Sequence, residues 1–93
     1  MSPLSKDEFI NMKKNGVFVF HSFSCWTCSS HIKNLKEQLG HFYTIEYELD
    51  VDYFESIGVL STPTTIVYKN DIPVYQKSGM LFESQLNDMM GFI

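Results

Sequence analysis

Val17-Phe18-Val19-Phe20, then Cys25-Trp26-Thr27-Cys28, then Ile32, Leu35 and Leu39 form the stretch from which the fold is read. The first run is continuously β-branched and aromatic, which suits a strand covered on both faces. The last three residues recur at helical spacing. Both cysteines of the chain therefore sit where a strand ends and a helix begins. Backbone N–H groups at a helix N-terminus favour negative charge and stabilise a thiolate. A cysteine placed there can have its pKa lowered from about 8.5 into the range of roughly 3.5 to 7.5.

The two thiols differ by position. Cys25, at the N-cap, is the more exposed and better stabilised thiolate, and so the candidate to attack a disulfide. Cys28 lies one turn in, from where it can reach back and close a Cys25–Cys28 disulfide. Other uses of such a pair fit less well. A structural disulfide across so short a loop would remove only about 2 kcal/mol of unfolded-state entropy. Structural zinc would draw on His21, His31 or His41, but no second Cys-x-x-Cys or His-x3-5-His pair occurs. Haem attachment needs a histidine after the second cysteine, and residue 29 is Ser.

Ninety-three residues, 44% of them hydrophobic and including eight Phe, five Tyr and one Trp, can fill one core. The expectation is a single domain over residues 1–93. A net charge of −4 without a basic cluster gives nucleic acid little to bind. No apolar run is long enough for a membrane span, and Met1-Ser2-Pro3-Leu4-Ser5-Lys6-Asp7 lacks the apolar core of a signal peptide. The expected location is cytoplasmic, where two cysteines at this spacing are more plausibly catalytic than structural.

Along the chain, Ser5 and Glu8 predict a capping box opening a helix over about residues 5 to 15, stopped by Gly16. The helix behind the cysteines runs to Leu39 and stops at Gly40. Tyr43 to Leu49 alternates, predicting an edge strand with Glu46 and Glu48 on its wetter side. Asp50 to Gly58 reads as a loop with a short helix, turning Tyr53, Phe54 and Ile57 inward. Thr64 to Tyr68 and Val74 to Lys77 read as a hairpin, with Pro73 opening its second strand. Phe82, Leu86, Met89 or Met90 and Ile93 mark a last amphipathic helix. The order is αβαβαββα: an α/β fold with a mixed four-stranded sheet flanked by helices. His21 reads as an exposed strand-end residue, or, if its ring turns toward the cysteines, as a base for Cys28 in place of water, and His31 and His41 read as solvent-facing.

Taken with Ser61-Thr62-Pro63-Thr64, Ile66-Val67-Tyr68-Lys69-Asn70 and Gly79 before the last helix, the cysteine stretch resembles the thioredoxin superfamily from about Gly16 to Met90. In length it is similar to the small phage-encoded thioredoxin- or glutaredoxin-like proteins. The resemblance implies a thioredoxin-like fold and a protein dithiol–disulfide oxidoreductase, an electron carrier in cell redox homeostasis. Its catalytic residues would be Cys25 as nucleophile and Cys28 as resolving thiol. It also implies that Pro63 is cis and lies against the cysteines, with Thr62 offering its backbone to an extended substrate segment. Trp26 and Thr27, between the cysteines, are the further substrate-binding candidates, Trp26 either packing over its neighbours or forming a docking platform. No cofactor beyond the redox-active disulfide and no metal is implied. The implied partners are disulfide-containing proteins, ribonucleotide reductase among them, with a thioredoxin reductase or glutathione as electron source and the chain a monomer.

The chain also departs from that pattern. Ser24 stands where thioredoxins carry Trp, Trp26-Thr27 replaces Gly-Pro, the usual first strand is missing, and the buried acid that assists proton transfer aligns near Val19. A glutathione-dependent glutaredoxin is the alternative, although its Gly-Gly turn is not evident at Ser78-Gly79-Met80-Leu81. A zinc-binding or non-catalytic binding module is the rival from another class.

Overall fold

A computed structural model of the chain describes residues 4–22 and 25–93. Ser24 and residues 1–3 lie outside the described residues. The elements follow the order α1 (Lys6–Met12), β1 (Asn15–His21), α2 (Trp26–Leu39), β2 (Tyr43–Glu46), a 3-10 turn (Tyr47–Leu49), α3 (Val51–Ser56), β3 (Thr64–Lys69), β4 (Ile72–Ser78) and α4 (Glu83–Met90). The sheet order is β2-β1-β3-β4, with β1 and β2 parallel and the other pairs antiparallel. This is the predicted mixed four-stranded sheet.

β1 is central because its side chains can be buried on both faces, and Val17 through Phe20 are all buried. Phe18 and Phe20 point to one face, joining Phe9 of α1, Phe54 of α3, Ile45, Ile66 and Tyr68. Val17 and Val19 point to the other, joining Leu35 of α2, Leu86 and Met89 of α4, and Val67. Helices thus cover both faces, and each fully buried aliphatic or aromatic side chain contributes about 1.5–3 kcal/mol by leaving water.

Several boundaries differ from the expectation. The capping box of Ser5 and Glu8 is present, but α1 ends at Met12 rather than near residue 15. Gly16 lies inside β1 with φ +143°, where a Cβ would come within 3.3 Å of the Tyr43 ring, so its role is close approach rather than helix termination. The strand expected over Tyr43–Leu49 stops at Glu46, and Glu46 is buried rather than wet. The reason is that helices cover both faces of the sheet, so alternation does not separate inside from outside here. The β2 edge is also partly occupied: Leu4 N–H donates to Thr44 O at 2.7 Å and Leu4 bridges Ile45 in parallel. The β3–β4 turn is tighter than expected, with Asn70 and Asp71 both at positive φ (53° and 67°), as a two-residue hairpin turn requires. Phe82 and Ile93 lie outside α4 and are exposed, leaving Leu86 and Met89 as its buried stripe.

Candidate functional site at the start of the long helix

Register brings the end of β1 and the start of β3 together at one end of the two central strands. Val19 pairs with Thr65 and Phe20 with Thr64, so the end of β1, leading into Cys25, adjoins the start of β3, which follows Pro63. Cys25 is the N-cap of α2, its N–H donating to Ser22 O at 3.1 Å and its carbonyl accepting from Cys28 N–H at 3.1 Å. Extended backbone at the cap followed by helix places the two sulfurs one turn apart, and they form a disulfide with Cα atoms 5.4 Å apart. Cys25 remains partly exposed, whereas Cys28 is 2% exposed. The Thr27 hydroxyl lies 3.3 Å from Cys25 Sγ.

Trp26 is 84% exposed, so it projects into solvent instead of packing over its neighbours. Thr62 is half-buried and Pro63 buried, and the bond between them is cis. Gly79 N–H donates to Pro63 O at 2.7 Å, and Thr64 Oγ1 donates to Ser61 O at 2.6 Å. The turn before β3 is therefore held from both sides. Leu60 just before it and Phe82 at the start of α4 are largely exposed apolar side chains.

The histidines fall differently from the sequence expectation. His41 is exposed, as expected, but His31 is fully buried, and Nε2 of its ring lies 2.9 Å from Thr65 Oγ1. His31 falls on the inward stripe of α2 with Cys28 and Leu35, and the sheet beneath offers a hydroxyl for its ring. His21 is half-buried rather than exposed, its Nδ1 2.8 Å from Glu46 Oε1. The two residues are register partners on adjacent parallel strands, which accounts for the contact. Burial pushes the His21 and His31 rings below their ordinary range, so both are neutral at pH 7. Burial, and then the nearby Glu48, push the Glu46 carboxyl upward. His31 Nδ1, His21 Nε2 and Glu46 Oε2 are buried without a hydrogen-bond partner.

Sequence reasoning thus missed the burial of His31 and Glu46 and the Thr65 hydroxyl that meets the His31 ring. Spacing could have found His31, three residues past Cys28 and four before Leu35. Among the described residues no three His, Cys, Asp or Glu side chains are grouped as metal ligands.

This arrangement, a four-stranded mixed sheet with a Cys-x-x-Cys disulfide at the head of the first long helix, is the thioredoxin fold. Among solved structures it is similar to thioredoxin of Malassezia sympodialis, at TM-score 0.77 and 17% identity over 99% of this chain and 94% of that one. Plasmodium falciparum thioredoxin matches at 0.76 and 21% identity, covering 95% and 93%. The oxidized form of mitochondrial thioredoxin 3 from Saccharomyces cerevisiae matches at 0.75 and 18%, covering 100% and 95%. Identities this low establish shared architecture. No family model and no curated protein matches the chain.

Proposed function

We propose that the chain is a thiol–disulfide oxidoreductase that reduces disulfides in proteins. The observation that carries this reading is the asymmetric Cys25–Cys28 disulfide: a partly exposed sulfur at a helix N-terminus and a buried one a turn behind it. The backbone N–H dipoles at the N-terminus of α2 favour a thiolate at Cys25, and the Thr27 hydroxyl is near enough to donate to it.

In the reduced protein the Cys25 thiolate attacks one sulfur of a client disulfide. The other client sulfur leaves as a thiolate, and a mixed disulfide remains. Cys28 loses its proton and attacks Cys25 Sγ, which breaks the mixed disulfide and releases the second client sulfur. Two electrons have moved from the pair to the client, and the Cys25–Cys28 bond is restored. Thr62 and Pro63 form the wall against which an extended client segment pairs, and exposed Trp26, Leu60 and Phe82 give its side chains apolar contact. The chain then acts as a monomeric electron carrier of a single domain in a reducing cytoplasm. Its clients are disulfide-containing enzymes such as ribonucleotide reductase, and a thioredoxin reductase or glutathione reduces it in turn.

The test is turnover of a protein disulfide by wild type and by Cys25→Ser, coupled in parallel to thioredoxin reductase and to glutathione with its reductase. The reading expects turnover with one reductant and none from Cys25→Ser. Undiminished turnover by Cys25→Ser, with one zinc bound per reduced chain, would replace the enzyme with a metal-binding module. Turnover through glutathione alone would make the protein a glutaredoxin in function.

A further inference from the structure

Beneath the dithiol helix lies a titratable side chain to which the exchange mechanism has so far given nothing to do. We propose that His31 is the proton acceptor for Cys28: its Nε2–H is held by Thr65 Oγ1, and its Nδ1 takes the Cys28 proton as that sulfur attacks Cys25. The proposal rests on the dithiol reading above.

Four observations carry it. His31 and Cys28 are three residues apart on α2 and both buried, so they share one face of the helix. A helical side chain leans toward the helix N-terminus, over the residues three and four positions earlier, which for His31 are Cys28 and Thr27. Nε2 is fixed at 2.9 Å from Thr65 Oγ1, on the strand that follows Pro63, so the ring is held between the two halves of the site. Nδ1, on the other side of the ring, is buried and has no partner. An orphaned buried ring nitrogen is costly to keep unless a use compensates for it. Val19, on the strand below, cannot take a proton. Burial keeps the ring neutral at pH 7, the form in which it can accept one.

Other charged or titratable groups share this sheet face. His21 and Glu46 lie at the ends of β1 and β2, already in contact with each other at 2.8 Å. Lys77 of β4 is the register partner of Thr65, and Tyr75 of β4 packs against the same cluster. None of these sits on the cysteine helix itself. His31 is the one with a fixed offset from Cys28.

The proton balance is closed. Resolution moves the Cys28 proton to Nδ1 as the Cys25–Cys28 bond forms and the client thiolate leaves. The imidazolium then gives that proton to solvent, which restores the neutral ring of the oxidised protein, and when a reductant later opens the disulfide the departing Cys28 thiolate takes up one proton from water.

Stopped-flow mixing of reduced protein with the aromatic disulfide dithiobis(nitrobenzoate) separates the steps. The first nitrothiobenzoate released reports attack by Cys25, and the second reports attack by Cys28. His31→Gln keeps a polar atom for Thr65 but cannot take the proton. It should leave the first phase within about twofold and slow the second by about 100-fold at neutral pH. The deficit should shrink as rising pH forms the Cys28 thiolate directly. Thr65→Val, which frees the ring, should slow the second phase by about tenfold while the histidine inflection in its pH profile persists.

An unchanged second phase, an equal slowing of both phases, a deficit that does not depend on pH, or loss of the inflection in His21→Gln instead would each overturn the assignment. If His31→Gln does not fold, the wild-type profile decides, since a second phase with no inflection below thiol ionisation also overturns it. Release of a single nitrothiobenzoate by wild type would instead defeat the dithiol reading on which the assignment stands.

Discussion

The two faces of the sheet are built from different chemistry. The face under α1 and α3 is a cluster of rings: Phe9 meets Phe18, Phe20, Phe54 and Tyr68 edge-on at centroid distances of 5.3, 5.3, 6.2 and 5.8 Å. The face under α2 carries Thr44, Thr65, His31 and the His21–Glu46 contact among its aliphatic residues. A cluster built on phenylalanine rings, with only tyrosine hydroxyls as polar atoms, contributes through area and edge-to-face geometry. Buried polar groups stabilise little on net and are expensive when unpaired. Both faces are packed with apolar side chains, but only the face under α2 also buries histidine and carboxylate groups.

The largest test of this contrast is Phe9→Ala. It removes the hub of the ring cluster and should cost about 3–5 kcal/mol, against a total stability of about 5–15 kcal/mol for an ordinary domain. Urea unfolding measures it, and a loss below about 1 kcal/mol would mean that the cluster is not packed as a unit.

Acid should discriminate between the faces next. With folded-state histidine pKa values pushed below the usual 6.5, the unfolded chain binds protons that the native one refuses as pH falls past that value. Stability should therefore be complete above that pH and decline below it, by at most about 1.4 kcal/mol per pH unit for each histidine until the folded pKa is reached. His21→Gln combined with His31→Gln should flatten that decline, whereas Phe9→Ala should lower the curve without changing its slope.

A smaller effect of opposite sign is expected at Glu46. Its folded pKa lies above the ordinary 4.5, so the native state binds the extra proton and loses stability relative to the unfolded chain as pH rises through that window. Glu46→Gln should therefore gain on wild type between pH 4.5 and 7. A gain toward lower pH would mean that the contact with His21 outweighs burial.

Smallest in stability is Trp26→Ala, within about 0.5 kcal/mol because the side chain is already in water. Its effect belongs to client turnover, seen as a raised KM for protein disulfides at unchanged unfolding midpoint.

The burial of Val17 through Phe20 and of Phe54 was legible in the sequence because aromatic and β-branched runs have few other places to go, although their gathering around Phe9 was not. The position of Cys25 at the N-cap and the termination of α2 at Gly40 were legible for similar local reasons. The polar face was not. The solvent-facing reading of His31 fails because its spacing from Cys28 and Leu35 puts it on the inward stripe of α2. The hydroxyl that makes burial tolerable comes from Thr65, 34 residues away, and no local pattern announces it. Glu46 was misplaced because period-two alternation marks the inside of a sheet only when one face is open to solvent, and here helices lie on both. The extent of β2 was misjudged because Tyr47–Leu49 coils into a 3-10 turn despite alternating like a strand.

The exposed indole beside Cys25 also makes the molecule self-reporting. Trp26 is the chain's single tryptophan, so all indole emission comes from one position next to the sulfur that changes state. A disulfide quenches a neighbouring indole more strongly than thiols do, so fluorescence should brighten on reduction and dim on oxidation. Because that ring is already hydrated in the native form, its colour should change little on unfolding, and brightness would follow electron traffic with no dye attached.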